Sequence, residues 1–206
     1  MLMPCLTGYN LGSDVITTDG VKMCLNDTSI LGEQRALIPK KLADLLQVIN
    51  AEEVYIQKEG NKLLFTSENI TIFGTELDGI EEYPDISVVT TLQFPNYSIV
   101  KRQQLVDALD RLSLFVDNTT NYGVRFTFND DALYVEDLKQ KSTEKIEYVE
   151  KSQEEQNVEL IFNLGYVTDL TSALTKENAE IYYSQELPLR FKEGNVTLVL
   201  STMSPE

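Results

Sequence analysis

Carboxylates are the side chains best placed to do chemistry in this sequence, because it holds no histidine and so lacks the commonest general base and metal ligand. Asp14 with Asp19, and Glu76 with Asp78, are close acidic pairs of the hard-oxygen kind that a divalent cation takes. Turn and surface roles explain both pairs more cheaply. Neither comes with a nucleophile and base, and no glycine-rich phosphate loop accompanies them. Cys5 and Cys24 lack the CxxC spacing of a zinc site and are too few for a disulfide framework, so they read as small buried hydrophobes. Asn-x-Ser/Thr triplets begin at Asn26, Asn69, Asn118 and Asn195, but glycosylation needs a secretory route, and Met1 to Asn10 has neither the basic start nor the apolar run of a secretion signal. The expectation is a protein with no catalytic residue, no metal and no cofactor, working inside the cell in the cytoplasm.

Composition narrows the classes further. Of 206 residues, 42% are hydrophobic and 24% charged, an ordinary globular balance that supports a real core. No stretch approaches the roughly 20 apolar residues that span a bilayer. The formal net charge of -16 argues against a nucleic-acid grip spread over the whole surface, though it leaves room for a local basic face.

The elements that would position any site are organised by an internal repeat. Leu37-Ile38-Pro39 and a helical run with Leu42, Leu45, Leu46 and Ile49 parallel Leu160-Ile161-Phe162-Asn163 and a run with Val167, Leu170 and Leu174. Strand-like segments follow in each half, Glu53 to Gln57 and Ala179 to Tyr183, and the last strands nearly coincide: Asn69-Ile70-Thr71-Ile72 against Asn195-Val196-Thr197-Leu198. Between them, Lys101 to Val116 carries Leu105, Ala108, Leu109, Leu112 and Val116 on one stripe, the spacing of an amphipathic helix. Gly123 to Phe128 and Ala132 to Asp137 alternate across the turn Asn129-Asp130-Asp131, and Thr143 to Val149 and Val158 to Asn163 read as further strands. The acidic stretch Glu144 to Glu159 reads as a solvated strand and loop. The second half thus runs strand, helix, three strands, twice over. The first half starts at Leu6 to Leu11, Val15 to Thr18 and Val21 to Leu25, with no counterpart of the opening strand and helix. Glu81-Glu82-Tyr83-Pro84-Asp85 reads as a connector, and the boundary falls near residue 90. The fold class is α+β: repeated strand-helix-three-strand motifs with helices on one face of antiparallel sheets.

At this point the sequence resembles the β subunit, the sliding clamp, of bacterial DNA polymerase III. Leu6-Thr7-Gly8, Thr18-Asp19-Gly20, Tyr83-Pro84-Asp85, Gly123-Val124-Arg125, and Phe162-Asn163 with Tyr166 carry the likeness, in the family's order and approximate spacing. The resemblance implies the DNA-clamp, or processivity-factor, fold. Residues 1–90 would be the clamp's middle domain without its first strand and helix, and 91–206 its C-terminal domain. It further implies a ring of six two-helix domains around duplex DNA, non-enzymatic, giving a polymerase processivity.

The resemblance also implies sites. A cleft between the two domains would receive short hydrophobic peptides from polymerase, clamp loader and repair proteins. Its walls would be Leu6, Thr18, Gly20, Val21, Lys22 and Met23, then Pro84, Val88 and Val89 of the connector, then Asn163, Tyr166, Pro188, Val199, Leu200 and Met203. Any apolar member of this set could equally be core. DNA-facing positions would be Lys40, Lys41, Lys101, Arg102, Arg111 and Lys176, mixed with Asp44, Asp107 and Asp110. The subunit interface would use Phe115 and Val116, placed on an edge strand of the last domain, and a homo-oligomer follows if a ring forms. Two departures bear on peptide specificity. Val21 and Lys22 stand where the family usually has His or Arg after Thr-Asp-Gly, and Ser201-Thr202-Met203-Ser204-Pro205-Glu206 stands where a Met-Pro-containing tail is usual. A fragment and a natural short form both fit, as does a stand-alone clamp-like peptide-binding module that does not encircle DNA.

Overall fold

Buried and more exposed residues alternate along strands such as Tyr55–Glu59, Lys62–Thr66, Asn96–Lys101 and Asn178–Tyr183, a period-2 pattern that an extended chain sorts onto two faces. The computed structural model describes residues 3–28, 30–32, 34–51, 53–152 and 154–204, and the chain divides into two units, Met1–Thr90 and Thr91–Glu206.

In the first unit, a 3-10 turn over Pro4–Thr7 leads into β1 (Gly8–Leu11), β2 (Val15–Thr18), β3 (Lys22–Asn26) and β4 (Ala36–Pro39), an antiparallel sheet ordered β3-β2-β1-β4. Helix α1 (Lys40–Leu46) follows, then β5 (Tyr55–Glu59), β6 (Lys62–Thr66) and β7 (Thr71–Thr75), an antiparallel sheet in chain order. Leu11, Ala36, Ile38, Leu42, Leu63 and Phe65 form one buried cluster through which the helix holds both sheets together. Gly74 lies under Leu42, and a Cβ there would overlap the leucine side chain, so this strand position needs glycine for the helix to seat. Polar ties add to the join: the Leu77 amide donates to the Leu37 carbonyl at 2.7 Å, and Lys58 Nζ reaches the Arg35 carbonyl at 2.5 Å and Glu76 at 2.9 Å.

The first strand is shorter than Leu6 to Leu11 because the chain curls at its start, where the Leu6 amide donates to the Met3 carbonyl. The helical run also stops early. α1 ends at Leu46, and the amides of Val48 and Ile49 bond three residues back, to Leu45 and Leu46, the tighter 3-10 pattern that closes a helix. Leu45 and Val48 are consequently exposed, at 55% and 59%, although the spacing predicts an apolar face through Leu45. The connector begins as a 3-10 turn over Ile80–Glu82, and Tyr83 is extended before Pro84, as a residue before proline prefers. Tyr83 is also an anchor: it is buried, its hydroxyl donates a hydrogen bond to the Ile16 carbonyl at 3.3 Å, and burial pushes its phenol up to about 12. A short α2 (Ser87–Thr90) ends the unit.

The second unit comprises β8 (Asn96–Lys101), α3 (Arg102–Leu112), β9 (Gly123–Phe128), β10 (Ala132–Asp137), β11 (Thr143–Ser152), β12 (Val158–Asn163), α4 (Leu164–Ala173), β13 (Asn178–Tyr183), β14 (Leu189–Glu193) and β15 (Val196–Leu200). Its strands are ordered β12-β9-β10-β11-β8-β13-β14-β15, antiparallel throughout. The helices pack side by side, α3 over β8, β10 and β11, and α4 over β12 and β15. Leu105, Leu109 and Leu112 of α3 are fully buried, and beneath the helices Phe126 meets Phe162 edge-on at 5.4 Å while Phe128 stacks on Tyr183 at 3.7 Å.

Two sequence expectations need correcting here. α3 ends at Leu112 and not at Val116, because the chain turns at Ser113 and Val116 only closes the end by donating to the Leu112 carbonyl. β11 runs on to Ser152, since its first half pairs with β10 and its second half, beyond a bulge between Tyr148 and Glu150, pairs with β8. The acidic stretch is therefore mostly structured. Glu155 accepts from Ser184 Oγ, the Gln185 amide and Asn96 Nδ2, while Asn96 Oδ1 accepts the amides of Glu154 and Glu155.

Candidate functional site

In the first unit Thr18, Gly20, Val21, Lys22 and Met23 lie at the β2–β3 turn, whereas Leu6 is in the opening 3-10 turn and Pro84, Val88 and Val89 are in the connector. Gly20 adopts φ 90°, a conformation glycine reaches without a Cβ penalty. Asp19 Oδ1 accepts the amides of Val21 at 2.9 Å and Lys22 at 2.8 Å, and Thr18 Oγ1 donates to the Lys22 carbonyl at 2.8 Å while accepting the Gly20 amide at 3.1 Å. The Thr-Asp-Gly motif is thus a self-bonded turn that presents an exposed Val21. Asp19 is committed to that turn, and Glu76 of the other acidic pair to Lys58. Among the described residues no group of three or more potential ligands gathers for a metal ion.

In the second unit the candidates converge where β12 hands over to α4. Asn163 is the N-cap: its Oδ1 accepts the Tyr166 amide at 3.3 Å, and its Nδ2 donates to the Asn121 carbonyl at 3.0 Å. The Met203 amide donates to the Ile161 carbonyl at 2.7 Å, which lays the tail beside β12 two residues from Asn163. Tyr166 is exposed, and Asn163, Pro188 and Met203 are half-buried. Val199 and Leu200 are buried, as is Met23 of the first unit, so these three fill interior positions. Leu6, Thr18, Lys22 and Val89 are half-buried, while Gly20, Pro84 and Val88 are exposed. The tail residues Pro205 and Glu206 lie outside the described residues, as do Met1 and Leu2 of the opening run.

The basic candidates divide in two. Lys40 pairs with Asp44 at 3.4 Å, Lys101 with Glu177 at 2.6 Å, and Arg111 grips Glu144 with both Nε and Nη2, at 2.9 and 2.8 Å. The guanidinium holds the Glu144 carboxyl below the usual range. Lys41, Arg102 and Lys176 make no ion pair among the described residues. The resemblance implies all six as DNA-facing helix positions, but Lys101 is the last residue of β8 and Lys176 lies beyond the end of α4, and the partners of Lys101 and Arg111 come from 76 and 33 residues away in sequence. Phe115 and Val116 are not on an edge strand: they lie in the turn that leaves α3, where Leu114 and Phe115 are 80% and 40% exposed.

The sequence model of a family described as DNA polymerase III beta subunit, C-terminal domain, matches residues 92–200, over half of the chain. The chain belongs to the DNA polymerase III beta subunit family. No curated protein matches it in sequence. Its fold is that of bacterial sliding clamps of this family. The beta subunit of Streptococcus pyogenes DNA polymerase superposes with a TM-score of 0.83 at 20% identity, covering 98% of this chain and 59% of that one. The DNA polymerase III subunit beta of Pseudomonas aeruginosa gives 0.84 at 20% identity, covering 100% and 60%. That of Borrelia burgdorferi, solved in complex with a natural product, gives 0.84 at 22% identity, covering 98% and 57%. The chain therefore spans about three-fifths of the length of these beta subunits.

Proposed function

We propose that this beta-subunit chain works in DNA replication in the cytoplasm as a sliding clamp or shortened clamp relative. In this reading it makes a polymerase processive by encircling duplex DNA, and it performs no chemistry of its own. The first unit stands for the clamp's middle domain and the second for its C-terminal domain. Candidate residues of both units receive short hydrophobic peptides from polymerase, loader and repair proteins, with Val21, Tyr166 and Met203 as apolar contacts. The observation that carries this reading is the family match over residues 92–200. Lys41, Arg102 and Lys176 are the cations best able to meet phosphate, and a mild, salt-sensitive attraction suits a clamp that must slide. Phe115 and Val116 serve the contact between subunits, in a homo-oligomeric ring.

A second reading has its own support. Three of the six candidate cations, Lys40, Lys101 and Arg111, are already held by carboxylates of the chain, which suits a peptide-binding module that never encloses DNA.

Fluorescence anisotropy of a labelled hydrophobic clamp-binding peptide, titrated with the wild-type chain and with Met203→Asp, tests the shared part. The substitution keeps the backbone bond to Ile161. Saturable binding weakened about tenfold or more in the variant is expected, since a buried apolar anchor contributes above about 1.4 kcal/mol. Absence of binding to folded protein sinks the peptide reading. Light scattering then separates the two readings, a closed oligomer favouring the clamp and a monomer the module.

A further inference from the structure

Strand alternation gives the second unit an outer face as well as a core. Asn96, Ser98 and Val100 of β8 and Ala179, Ile181 and Tyr183 of β13 are buried, so Tyr97 and Ile99, with Tyr182 and Glu180 opposite them, stand on the other side of the sheet. Across that side the register sets Glu150 of β11 opposite Ile99, and Arg190 of β14 opposite Tyr182. The rings of Tyr97 and Tyr182 are 6.1 Å apart and Phe94 meets Tyr182 edge-on at 6.3 Å, so three half-buried aromatic rings form one row.

The two ends of the row differ in charge. At the β14 end it already holds a cation: the Arg190 guanidinium lies 4.4 Å from the centre of the Phe94 ring, and its Nη1 donates to the Leu92 carbonyl at 3.3 Å, which seats the stretch before Pro95 on the sheet. At the β11 end Tyr97 donates its hydroxyl to the exposed Glu150, and Tyr182 donates to Glu180 at 3.4 Å. Elsewhere in this unit tyrosine rings lie under the chain's own cations, Tyr134 under Lys145 at 5.7 Å and Tyr148 under Lys151 at 5.4 Å. Tyr97 has no cation over its ring among the described residues. Of the cations on this face, Arg190 and Lys192 lie on β14, two strands from Tyr97, and Lys101 is paired with Glu177.

We infer that this row takes a basic, proline-rich segment of a partner polypeptide, with an arginine over Tyr97 beside Glu150 and prolines over Tyr182. Charge complementarity sets the basic end: an aromatic face next to a carboxylate favours a guanidinium, as the Phe94 ring already does. The sheet sets the rest. Its backbone groups are used in its own ladders, so an occupant lying on this face must leave its carbonyls in water and bring few N–H groups. A polyproline II helix meets both conditions with little entropy to lose, and its rise of about 3.1 Å per residue places residues two apart at about the spacing of the two tyrosines. The inference goes beyond the clamp reading and uses none of its candidate cleft residues.

The test is fluorescence anisotropy of a labelled peptide, one arginine followed by six prolines, titrated with the 206-residue chain. Saturable binding is expected, weakened about tenfold by Tyr97→Ala and about threefold by Glu150→Gln, and lost when glutamate replaces the arginine of the peptide. Circular dichroism checks that each variant folds, and Glu150→Gln, at an exposed position, decides the matter if Tyr97→Ala does not. No saturable binding overturns the inference, as does binding that Glu150→Gln and the glutamate peptide leave unchanged. Binding lost with Met203→Asp but kept with Tyr97→Ala also overturns it, because the peptide then sits at the site of the clamp reading. Failure of that reading's own titration leaves this one standing, since the two use different peptides and different residues.

Discussion

Asp117 shows how one exposed side chain ties local structure to solution conditions. It caps the 3-10 turn Asn118–Thr120 by accepting the Thr119 amide, and Lys139 Nζ meets its other oxygen at 2.6 Å. Lys139 first, and Thr119 second, hold its carboxyl down to about 2. An unfolded Asp titrates near about 3.9, so the folded state binds the proton less readily. The stability this gives is complete above about pH 4 and is lost as pH falls through the folded value near 2. Asp117→Asn is therefore expected to flatten the fall in urea midpoint between about pH 4 and pH 2. A slope as steep as wild type in that window counts against the pairing. At the same scale, a turn is the cheaper reading of Asp19 in Thr18-Asp19-Gly20, and a turn is what the structure has there. The work of Asp19 follows from the ordinary tendency of Asp to bond amides two and three residues on. Ion partners such as Glu144 for Arg111 were not legible, because 33 residues separate them and only the fold brings them together.

Elements were legible where punctuation is strong and blurred where it is weak. Gly123–Phe128, Ala132–Asp137 and Val158–Asn163 form as the alternation predicts, each bounded by Asn, Asp or Gly turns. Gly123 shows why its boundary is sharp: a Cβ there would meet Leu138 at 2.5 Å and the Thr120 carbonyl at 2.9 Å. Helix ends were read too long in both units, since an apolar residue at the right spacing says nothing about whether a surface waits to cover it. Leu109 and Leu45 make that difference measurable. Leu109→Ala in α3 opens a cavity in a fully buried site and is expected to cost about 2–5 kcal/mol in urea denaturation. Leu45→Ala, on an exposed flank of α1, is expected to stay within about 0.5 kcal/mol. Similar losses at both positions would mean that Leu45 is covered in solution.

At the scale of the molecule, the repeat was the most legible feature, and it is what assigns each strand its place. The two units do not bury themselves equally: among the described residues, 12 hydrophobic side chains are buried in the first unit and 27 in the second. Calorimetry is expected to show two transitions, with Leu63→Ala lowering the first and Leu109→Ala the second. One transition shifted equally by both variants would show that the units melt together. The place of β8 has a consequence for how the protein is made. Asn96 of that strand finds the Tyr183 carbonyl only across 87 residues of sequence. At ribosomal speeds of about 5–20 residues per second, β8 waits about 4–17 s for its second neighbour to be synthesised. Contacts of such separation slow folding, and through that interval an early strand of the second unit is an open edge in the crowded space beside the ribosome.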